Sequence, residues 1–295
     1  MSTKEKGTEV DPITLSVVWN RLLTLTRECG ERVVHSSQSF VMALARDLGP
    51  VLLTPQAEIV TTVEFLPCHC LLAEIPTGNI LKKFGKLDKG DMVIGNDGFI
   101  VQSGHLPDWT FLVPIYYDEE LVFYCHFRAH MADSGGALSG SYFPRAYDCI
   151  AEGINIPPVK VIERGEVDEK VREVIFDNIR TPAAVWSDNK LIYGSIQRME
   201  RDIGELIDKY GLDTLKDCTR GMIRRDERAT RKQIAGIPDG VYSGESACDW
   251  DGSVPDRLVW VRVKLAVDGD EMTFDFSESD DQVDFINSPL GNTYA

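Results

Sequence analysis

Two β-rich runs separated by three acidic residues constrain the fold more than any other part of the chain. Residues 109–117 and 121–129 flank the acidic triplet 118–120, an arrangement typical of a β-hairpin. If Tyr117 lies opposite Leu121, one face of the hairpin is almost wholly apolar. Its members are Trp109, Phe111, Val113, Ile115 and Tyr117 on one strand and Leu121, Phe123, Cys125, Phe127 and Ala129 on the other. A shift of one residue would mix apolar with polar side chains, so the alternation predicts this register and a core under that face.

The other face of the hairpin carries the residues that can do chemistry. The register places Asp108 opposite His130, with Cβ atoms ~4.5–5.5 Å apart. Pro107 excludes His105 from a regular helix, and a bend there would bring His105 over the same face. Two imidazoles and a carboxylate that converge in this way suit Fe(II), Mn(II) or Zn(II), with positions left for substrate. The same spacing is also compatible with a strand cap and two hydrogen-bonded polar residues that bind no metal.

Two more polar residues share this face. His126 lies two positions along the same face before His130, and Arg128 lies between them. His126 is predicted either to support the site from outside the ligand set or to be a solvated strand residue. Arg128 is predicted to support the site or to hold an anion.

Phosphate-binding motifs are missing from the sequence. Neither Gly-x4-Gly-Lys-Ser/Thr nor Gly-x-Gly-x-x-Gly occurs, so ATP is expected to bind elsewhere. The glycine-rich loop 134–141 could wrap an anion with its backbone N–H groups. The run Cys68-His69-Cys70 lacks the second half of a zinc site, and its members are predicted to be buried structural residues.

The remaining patterns predict a mixed α/β (α+β) fold. A β-hairpin-rich sheet core with packed helices is followed by a helical segment and a small β-rich C-terminal part. Helices are expected from Pro12 to about 35–37, over 71–84 with an interruption near Pro76, and as two or three helices within 168–235. Strands are expected at 41–44, 51–53, 59–60 and 92–94, a turn at 47–50, and a second hairpin from 258–267 and 272–276. The candidate boundary at 236–240 predicts a domain 1–235 that carries the site, and a segment 236–295 that begins a domain completed by another chain.

Charge and cysteine usage exclude several classes of function. The formal net charge is −16 and the pI is about 4.7, which disfavours binding to nucleic acid or to an anionic membrane surface. No apolar run approaches the ~20 residues that span a bilayer, and the polar N-terminus lacks the pattern of a secretory signal. The 7 cysteines are irregularly spaced, so we expect a reducing, cytoplasmic location.

Six ordered motifs resemble those of one known family. They are Asn96-Asp97, Gly104-His-Leu-Pro-Asp108, Phe127-Arg-Ala-His130, Asp133-Ser-Gly-Gly136, Glu152-Gly-Ile-Asn-Ile-Pro-Pro158 and Asn178-Ile-Arg-Thr-Pro182. Together they resemble the hydantoinase B/oxoprolinase family over residues 11–295. The family's B-type subunits occur in N-methylhydantoinases, 5-oxoprolinases and the acetone and acetophenone carboxylases. They are longer than this chain, which resembles their N-terminal half.

The resemblance implies a metal-binding subunit that is inactive alone. In the acetone carboxylase branch a His-x-x-Asp and a later His hold Mn, and those positions fall on His105, Asp108 and His130. The resemblance also implies two partners. One is an A-type subunit of actin-like ATPase fold that binds ATP-Mg and phosphorylates the substrate, and the other is a further chain that supplies the remaining C-terminal half.

Departures from the family pattern favour one branch. Met131 replaces a histidine present in many relatives, Gly98-Phe99 replaces Pro-Tyr or Pro-Trp, and the loop before His105 is one residue longer. Together with Trp109 and the run 140–144, these resemble the acetophenone-type carboxylases. The leading interpretation is therefore a subunit of an ATP-dependent ketone carboxylase, which joins an activated enol to a bicarbonate-derived carboxyl group. The alternatives are a subunit of a hydantoinase or 5-oxoprolinase that hydrolyses a cyclic amide, and a non-catalytic assembly subunit.

Overall fold

The computed structural model describes residues 10–141, 143, 145–146, 148–251, 254 and 256–283. The mixed α/β fold is confirmed: a seven-stranded sheet, packed helices and a small three-stranded sheet towards the C-terminus. The described residues form two compact units, the first within 10–143 and 148–219 and the second within 145–146 and 220–283. The boundary at 236–240 stays a prediction. Expectations for Tyr142, Pro144 and the last twelve residues fall outside the described part of the chain.

The first unit is built on an antiparallel sheet. In sheet order its strands are β2 (Ile59–Thr61), β1 (Leu48–Leu53), β5 (Glu120–His130), β4 (Asp108–Tyr117), β3 (Met92–Gly95), β6 (Val159–Glu163) and β7 (Glu166–Val167). The predicted hairpin, β4 and β5, occupies the centre of this sheet. Both of its faces are buried: Trp109 meets Phe176 on one, while Leu112 and Tyr124 join a core that contains Ile80 on the other.

The described ranges contain seven α-helices. They are α1 (Pro12–Ser36), α2 (Pro67–Cys70), α3 (Glu74–Phe84), α4 (Cys149–Glu152), α5 (Glu169–Phe176), α6 (Pro182–Tyr210) and α7 (Leu212–Ile234). The predicted start of α1 is confirmed, since Asp11 accepts a hydrogen bond of 2.9 Å from the Thr14 N–H and Pro12 follows it. The predicted interruption of α3 is wrong. Pro76 lies in the first turn, where the missing N–H would have had no partner within the helix.

The hairpin register is confirmed over most of its length and wrong at the tip. Pairs run from Asp108 opposite His130 to Ile115 opposite Phe123, and then the register shifts by one residue. Tyr117 therefore pairs with Glu120 rather than with Leu121. The turn is tighter than predicted because Asp118 adopts a left-handed conformation, with φ of 51°, which aspartate tolerates better than most residues.

The segment before β1 differs from the prediction. Val41–Ala45 is a π-helical turn rather than a strand, and it ends at Arg46 in the left-handed region, with φ of 57°. The predicted turn at 47–50 is also wrong, since β1 runs through Pro50 opposite Phe127. Short apolar runs do not distinguish a buried strand from a helical turn, so the sequence pattern is ambiguous at this point.

The second unit contains the three-stranded sheet. β9 (Val259–Asp268) lies between β8 (Gly240–Cys248) and β10 (Glu271–Asp275), which confirms the second predicted hairpin. Strand β8 is exposed along its whole length. None of the helices in the described ranges has the length and apolarity needed to cross a membrane.

Candidate metal centre

The candidate ligands meet where the central hairpin ends. Asp108 is the first residue of β4 and His130 the last of β5. The expected bend is present: the Asp108 N–H donates to the His105 carbonyl over 3.1 Å, and the Met131 N–H donates to the Pro107 carbonyl over 2.8 Å. The bend returns His105 to the face that carries the other two side chains.

The three side chains converge on one oxygen atom. Asp108 Oδ1 lies 2.9 Å from His105 Nε2 and 3.0 Å from His130 Nδ1. The two imidazole rings are 4.8 Å apart between centroids. One potential ligand atom from each residue lies within 4.8 Å of the others. The structure thus brings together the three residues that the sequence selected, and their role as metal ligands stays a prediction.

The site is electrostatically coupled. Burial alone would raise the pKa of Asp108, but the hydrogen bonds with His105 and His130 outweigh it and hold that pKa well below its usual range. Burial alone would lower the pKa of His105, but its hydrogen bond and charge interaction with Asp108 raise it. Asp108 is therefore ionised at neutral pH, as a metal ligand must be.

Solvent reaches the cluster from the side of His105. Its side chain is 28% exposed, against 10% for Asp108 and 14% for His130. The cluster is thus more buried on the strand side than on the side of the loop that carries His105.

Asp47 is a second carboxylate at the site that the sequence did not indicate. Its backbone carbonyl accepts a hydrogen bond of 3.1 Å from the His130 N–H, and its Oδ2 lies 3.9 Å from His130 Nδ1. Its Oδ1 lies 2.6 Å from Nε2 of His69, which is buried. Asp47 reaches the site because β1 pairs with β5. That pairing is non-local and has no short-range sequence signal, and the sequence pattern had placed a turn at 47–50.

His126 and Arg128 are buried, with their hydrogen bonds directed away from the three candidate ligands. His126 Nδ1 lies 3.3 Å from the Thr77 hydroxyl, whereas its Nε2 has no hydrogen-bond partner in the described structure. The solvated alternative for His126 is wrong, because the side chain is fully buried. Burial and the nearby charge of Arg128 hold the pKa of His126 well below its usual value, so this imidazole is neutral.

Arg128 is bound to its own fold rather than presented to a ligand. Its Nε donates to the Thr110 hydroxyl over 3.1 Å, and its terminal nitrogens donate to the carbonyls of Val101 and Gln102. These contacts tie β5 to the loop that leads to His105. Support of the site through that loop remains a prediction for Arg128.

Other sequence motifs hold the loops around the site. The Asn96 side chain donates to the carbonyls of Leu106 and Ile154, over 2.7 and 2.9 Å, and accepts from the Ile156 N–H. Arg180, which lies shortly before α6, donates to Asp133 and to the carbonyls of Gly135, Gly136 and Leu138 in the glycine-rich loop. The carbonyls of that loop thus surround a cation of the chain itself. His69 and Cys70 are buried, as predicted, and Cys68 is half-buried.

Comparison with known proteins relates the chain to one family. The sequence profile of the hydantoinase B/oxoprolinase family matches residues 11–295. The beta subunit of caprolactamase from Pseudomonas jessenii is 33% identical over 96% of this chain and 49% of its own length. The B-type subunit of a putative D-/L-hydantoinase from Pseudomonas sp. (strain NS671) is 28% identical over 97% of this chain and 50% of its own length. The chain spans about half the length of these relatives.

A solved structure and a carboxylase subunit extend the comparison. The crystal structure of the ATP-dependent caprolactamase from Pseudomonas jessenii superposes with a TM-score of 0.89 and 31% identity, over 97% of this chain and 49% of the matched chain. The delta subunit of acetophenone carboxylase from Aromatoleum aromaticum is 25% identical over 92% of this chain and 40% of its own length. Relatives of this chain therefore include subunits of both amide hydrolases and carboxylases.

Proposed function

The chain belongs to the hydantoinase B/oxoprolinase family, and we propose that it is the metal-binding part of a B-type subunit in an ATP-dependent enzyme that hydrolyses a cyclic amide. The observation that carries the proposal is the convergence of His105, Asp108 and His130 within 4.8 Å. The preference for an amide rests on identity: 33% to the caprolactamase subunit against 25% to the acetophenone carboxylase subunit. It reverses the ranking that the sequence motifs alone suggested.

The residues present fit a divalent ion. Two imidazole nitrogens and one ionised carboxylate oxygen form a donor set accepted by Zn(II), Mn(II) and Fe(II), and one side of the cluster is accessible to solvent. His105, Asp108 and His130 would hold the ion, with Asp47 beside His130 as a further negative group.

The ion would supply Lewis-acid polarisation of the substrate carbonyl, a contribution of several kcal/mol to transition-state stabilisation. Hydrogen bonds within the chain orient the ligand side chains and hold the loops around them. Asp108 orients both imidazoles by sharing one oxygen between them. The Trp109 indole donates to the Ser134 hydroxyl over 2.9 Å, which fixes the next loop beside the hairpin. Asn96 binds Leu106, the residue after His105, and also the segment 154–156.

ATP-dependent chemistry would require further subunits. The sequence contains no phosphate-binding motif, so an A-type actin-like ATPase subunit would bind ATP-Mg and activate the substrate. A further polypeptide chain would supply the remaining, C-terminal half of a B-type subunit. The negative net charge of −16 disfavours phosphate binding on this chain's own surface.

A ketone carboxylase subunit is the second candidate. It is favoured by the 25% identity to an acetophenone carboxylase subunit and by Gly98-Phe99 and Trp109, which resemble that branch. In this case the metal would stabilise the charge that develops on an enolate oxygen, while the ligand set would be unchanged.

One assay distinguishes these functions. The chain is co-expressed with a family A-type subunit and any further B-type chain, and ATP hydrolysis is measured with lactams, hydantoins and 5-oxoproline, and separately with ketones plus bicarbonate. We expect ATP hydrolysis coupled to ring opening of one of the cyclic amides. Both reactions should be lost in the Asp108→Asn variant. Turnover with ketones and bicarbonate alone would favour the carboxylase. A complex that contains no metal and turns over neither substrate class would support the third interpretation, a non-catalytic assembly subunit.

A further inference from the structure

We propose that His69 is a positioning residue for the metal centre. It holds the carboxylate of Asp47 so that the second oxygen of this carboxylate faces the ligand atom of His130, and it thereby sets metal affinity without touching the metal. The inference rests on the proposed function and assigns a role to a residue outside the three-ligand set.

The carboxylate of Asp47 is divided between two imidazoles. Its Oδ1 is 2.6 Å from His69 Nε2, and its Oδ2 is 3.9 Å from His130 Nδ1. His69 is only 3% exposed, whereas the Asp47 side chain is 24% exposed. Without His69, Asp47 could rotate towards water, since long contacts such as that to His130 are weak on the exposed side of a site.

The backbone places Asp47 but does not orient its side chain. Leu48 pairs with Ala129 in the β1–β5 ladder, and the His130 N–H donates to the Asp47 carbonyl over 3.1 Å. Asp47, the residue before β1, and Asp108, the first residue of β4, therefore lie on either side of His130. Asp108 is oriented by two histidines, and His69 gives Asp47 an equivalent partner.

A glycine allows His69 to approach. The one-turn helix α2 lies against β1 at Gly49, where an added Cβ would fall 2.6 Å from Cys70 Sγ and 2.9 Å from His69 Cβ. Such distances are too short for carbon and sulfur atoms in contact, so any larger residue would push α2 away from β1. Because α2 packs closely on Gly49, the buried imidazole of His69 can reach the carboxylate of Asp47.

A carboxylate fixed beside a cation raises the affinity for that cation, whereas one free to turn into water contributes less. Removal of partners that orient the ligands of a metal typically costs about 10–100-fold in metal affinity. We expect a loss of that size when the contact between His69 and Asp47 is removed.

The test measures Zn²⁺ dissociation constants by chelator competition, at one fixed pH, on the full chain. His69→Gln and His69→Asn form a matched pair. The glutamine amide can reach the position of Nε2, whereas the asparagine amide reaches only that of Nδ1 and leaves Asp47 without its partner. We expect His69→Asn and His69→Ala to bind about 10–100-fold more weakly than wild type, and His69→Gln to stay within about threefold.

A double-mutant cycle separates positioning from general packing. In an Asp47→Asn background, His69→Asn should cause no further loss of Zn²⁺ affinity, because the group through which it acts has already been changed. Cys70→Ala serves as the packing control in α2, and its affinity should match that of wild type. Losses that simply add in the double variant would overturn the inference.

Equal Zn²⁺ affinity in wild type, His69→Gln and His69→Asn would also overturn the role of His69 while the proposed metal centre stands. A wild-type chain that binds no Zn²⁺, Mn²⁺ or Fe²⁺ would remove the metal centre itself, and the inference with it. The failure of the inference and that of the proposed function are thus distinguishable.

Discussion

Asp108 is the residue on which the site depends. One of its oxygens is shared by His105 and His130, and these bonds keep its pKa well below the usual range. A carboxylate so stabilised is charged at neutral pH. Substitutions at this residue should therefore remove a charged ligand from the site and weaken metal binding.

We expect Asp108→Asn to lower metal affinity by at least about 100-fold, because two neutral imidazoles leave the ion under-coordinated. His130→Ala should do the same. His126→Gln is the control, since its hydrogen bond leads to Thr77, and it should cost less than about tenfold. Isothermal titration with Zn²⁺ and far-UV circular dichroism would measure affinity and fold. A His126→Gln loss as large as that of Asp108→Asn would contradict the ligand assignment.

Metal binding should weaken as the pH falls. A protonated imidazole cannot bind metal, and the pKa of His105 is raised because its interaction with Asp108 outweighs the effect of burial. Affinity should be full above that raised pKa and fall about tenfold per pH unit below it. The free energy of unfolding of the metal-free chain should change with pH in the opposite direction. Because the pKa of His105 is raised in the folded state, this residue contributes stability below its unfolded-state pKa, and that contribution is lost as the pH rises through the folded-state pKa. Zn²⁺ affinity that is flat between about pH 6 and 8 would count against His105 as a ligand.

At the scale of elements, the central hairpin shows what the sequence can predict. Strict alternation over two long runs determined the pairing of Asp108 with His130, because a one-residue shift would have mixed polar with apolar side chains on each face. The register at the hairpin turn was not predicted, since a residue in the left-handed conformation such as Asp118 can shorten a turn without any change in the alternation of apolar and polar residues. The position of Asp47 at the site was not predicted either, because it depends on the pairing of β1 with β5, which are distant in sequence.

The contact between α2 and β1 yields a prediction about stability. Gly49→Ala should lower the free energy of unfolding by about 1–3 kcal/mol, because its Cβ would overlap atoms of His69 and Cys70. Gly78→Ala is the matched control. Gly78 lies within α3 with nothing within 4 Å of an added Cβ, so alanine should add up to about 1 kcal/mol. Urea unfolding of both variants makes the comparison, and equal effects would contradict the close packing of α2 on β1.

At the scale of the molecule, the exposed surface of the small sheet indicates association. Tyr242, Leu265 and Phe274 are aligned across its three strands, and Tyr242, Phe274 and Val261 are 42%, 52% and 50% exposed. An apolar face of this kind is typical of an interaction surface. We expect the chain to form a stable complex when co-expressed with a family A-type subunit and a longer B-type segment. A monodisperse monomer by light scattering, with no co-elution, would contradict this.

The isolated chain should not hydrolyse ATP. The expectation rests on the missing glycine-rich phosphate motifs. Phosphate release by the purified chain should equal that of buffer alone, with His130→Ala as a matched sample. Turnover by the wild type that disappears in a variant of this chain would show that it carries a nucleotide site of its own.

The central claim is that three side chains at the end of the β4–β5 hairpin hold one divalent ion. Anomalous diffraction from a crystal of the chain grown with Zn²⁺ tests it most directly. The account predicts one strong peak about 2.0–2.2 Å from His105 Nε2, His130 Nδ1 and an oxygen of Asp108. A fully occupied peak elsewhere, with these three side chains still hydrogen-bonded to one another, would contradict it.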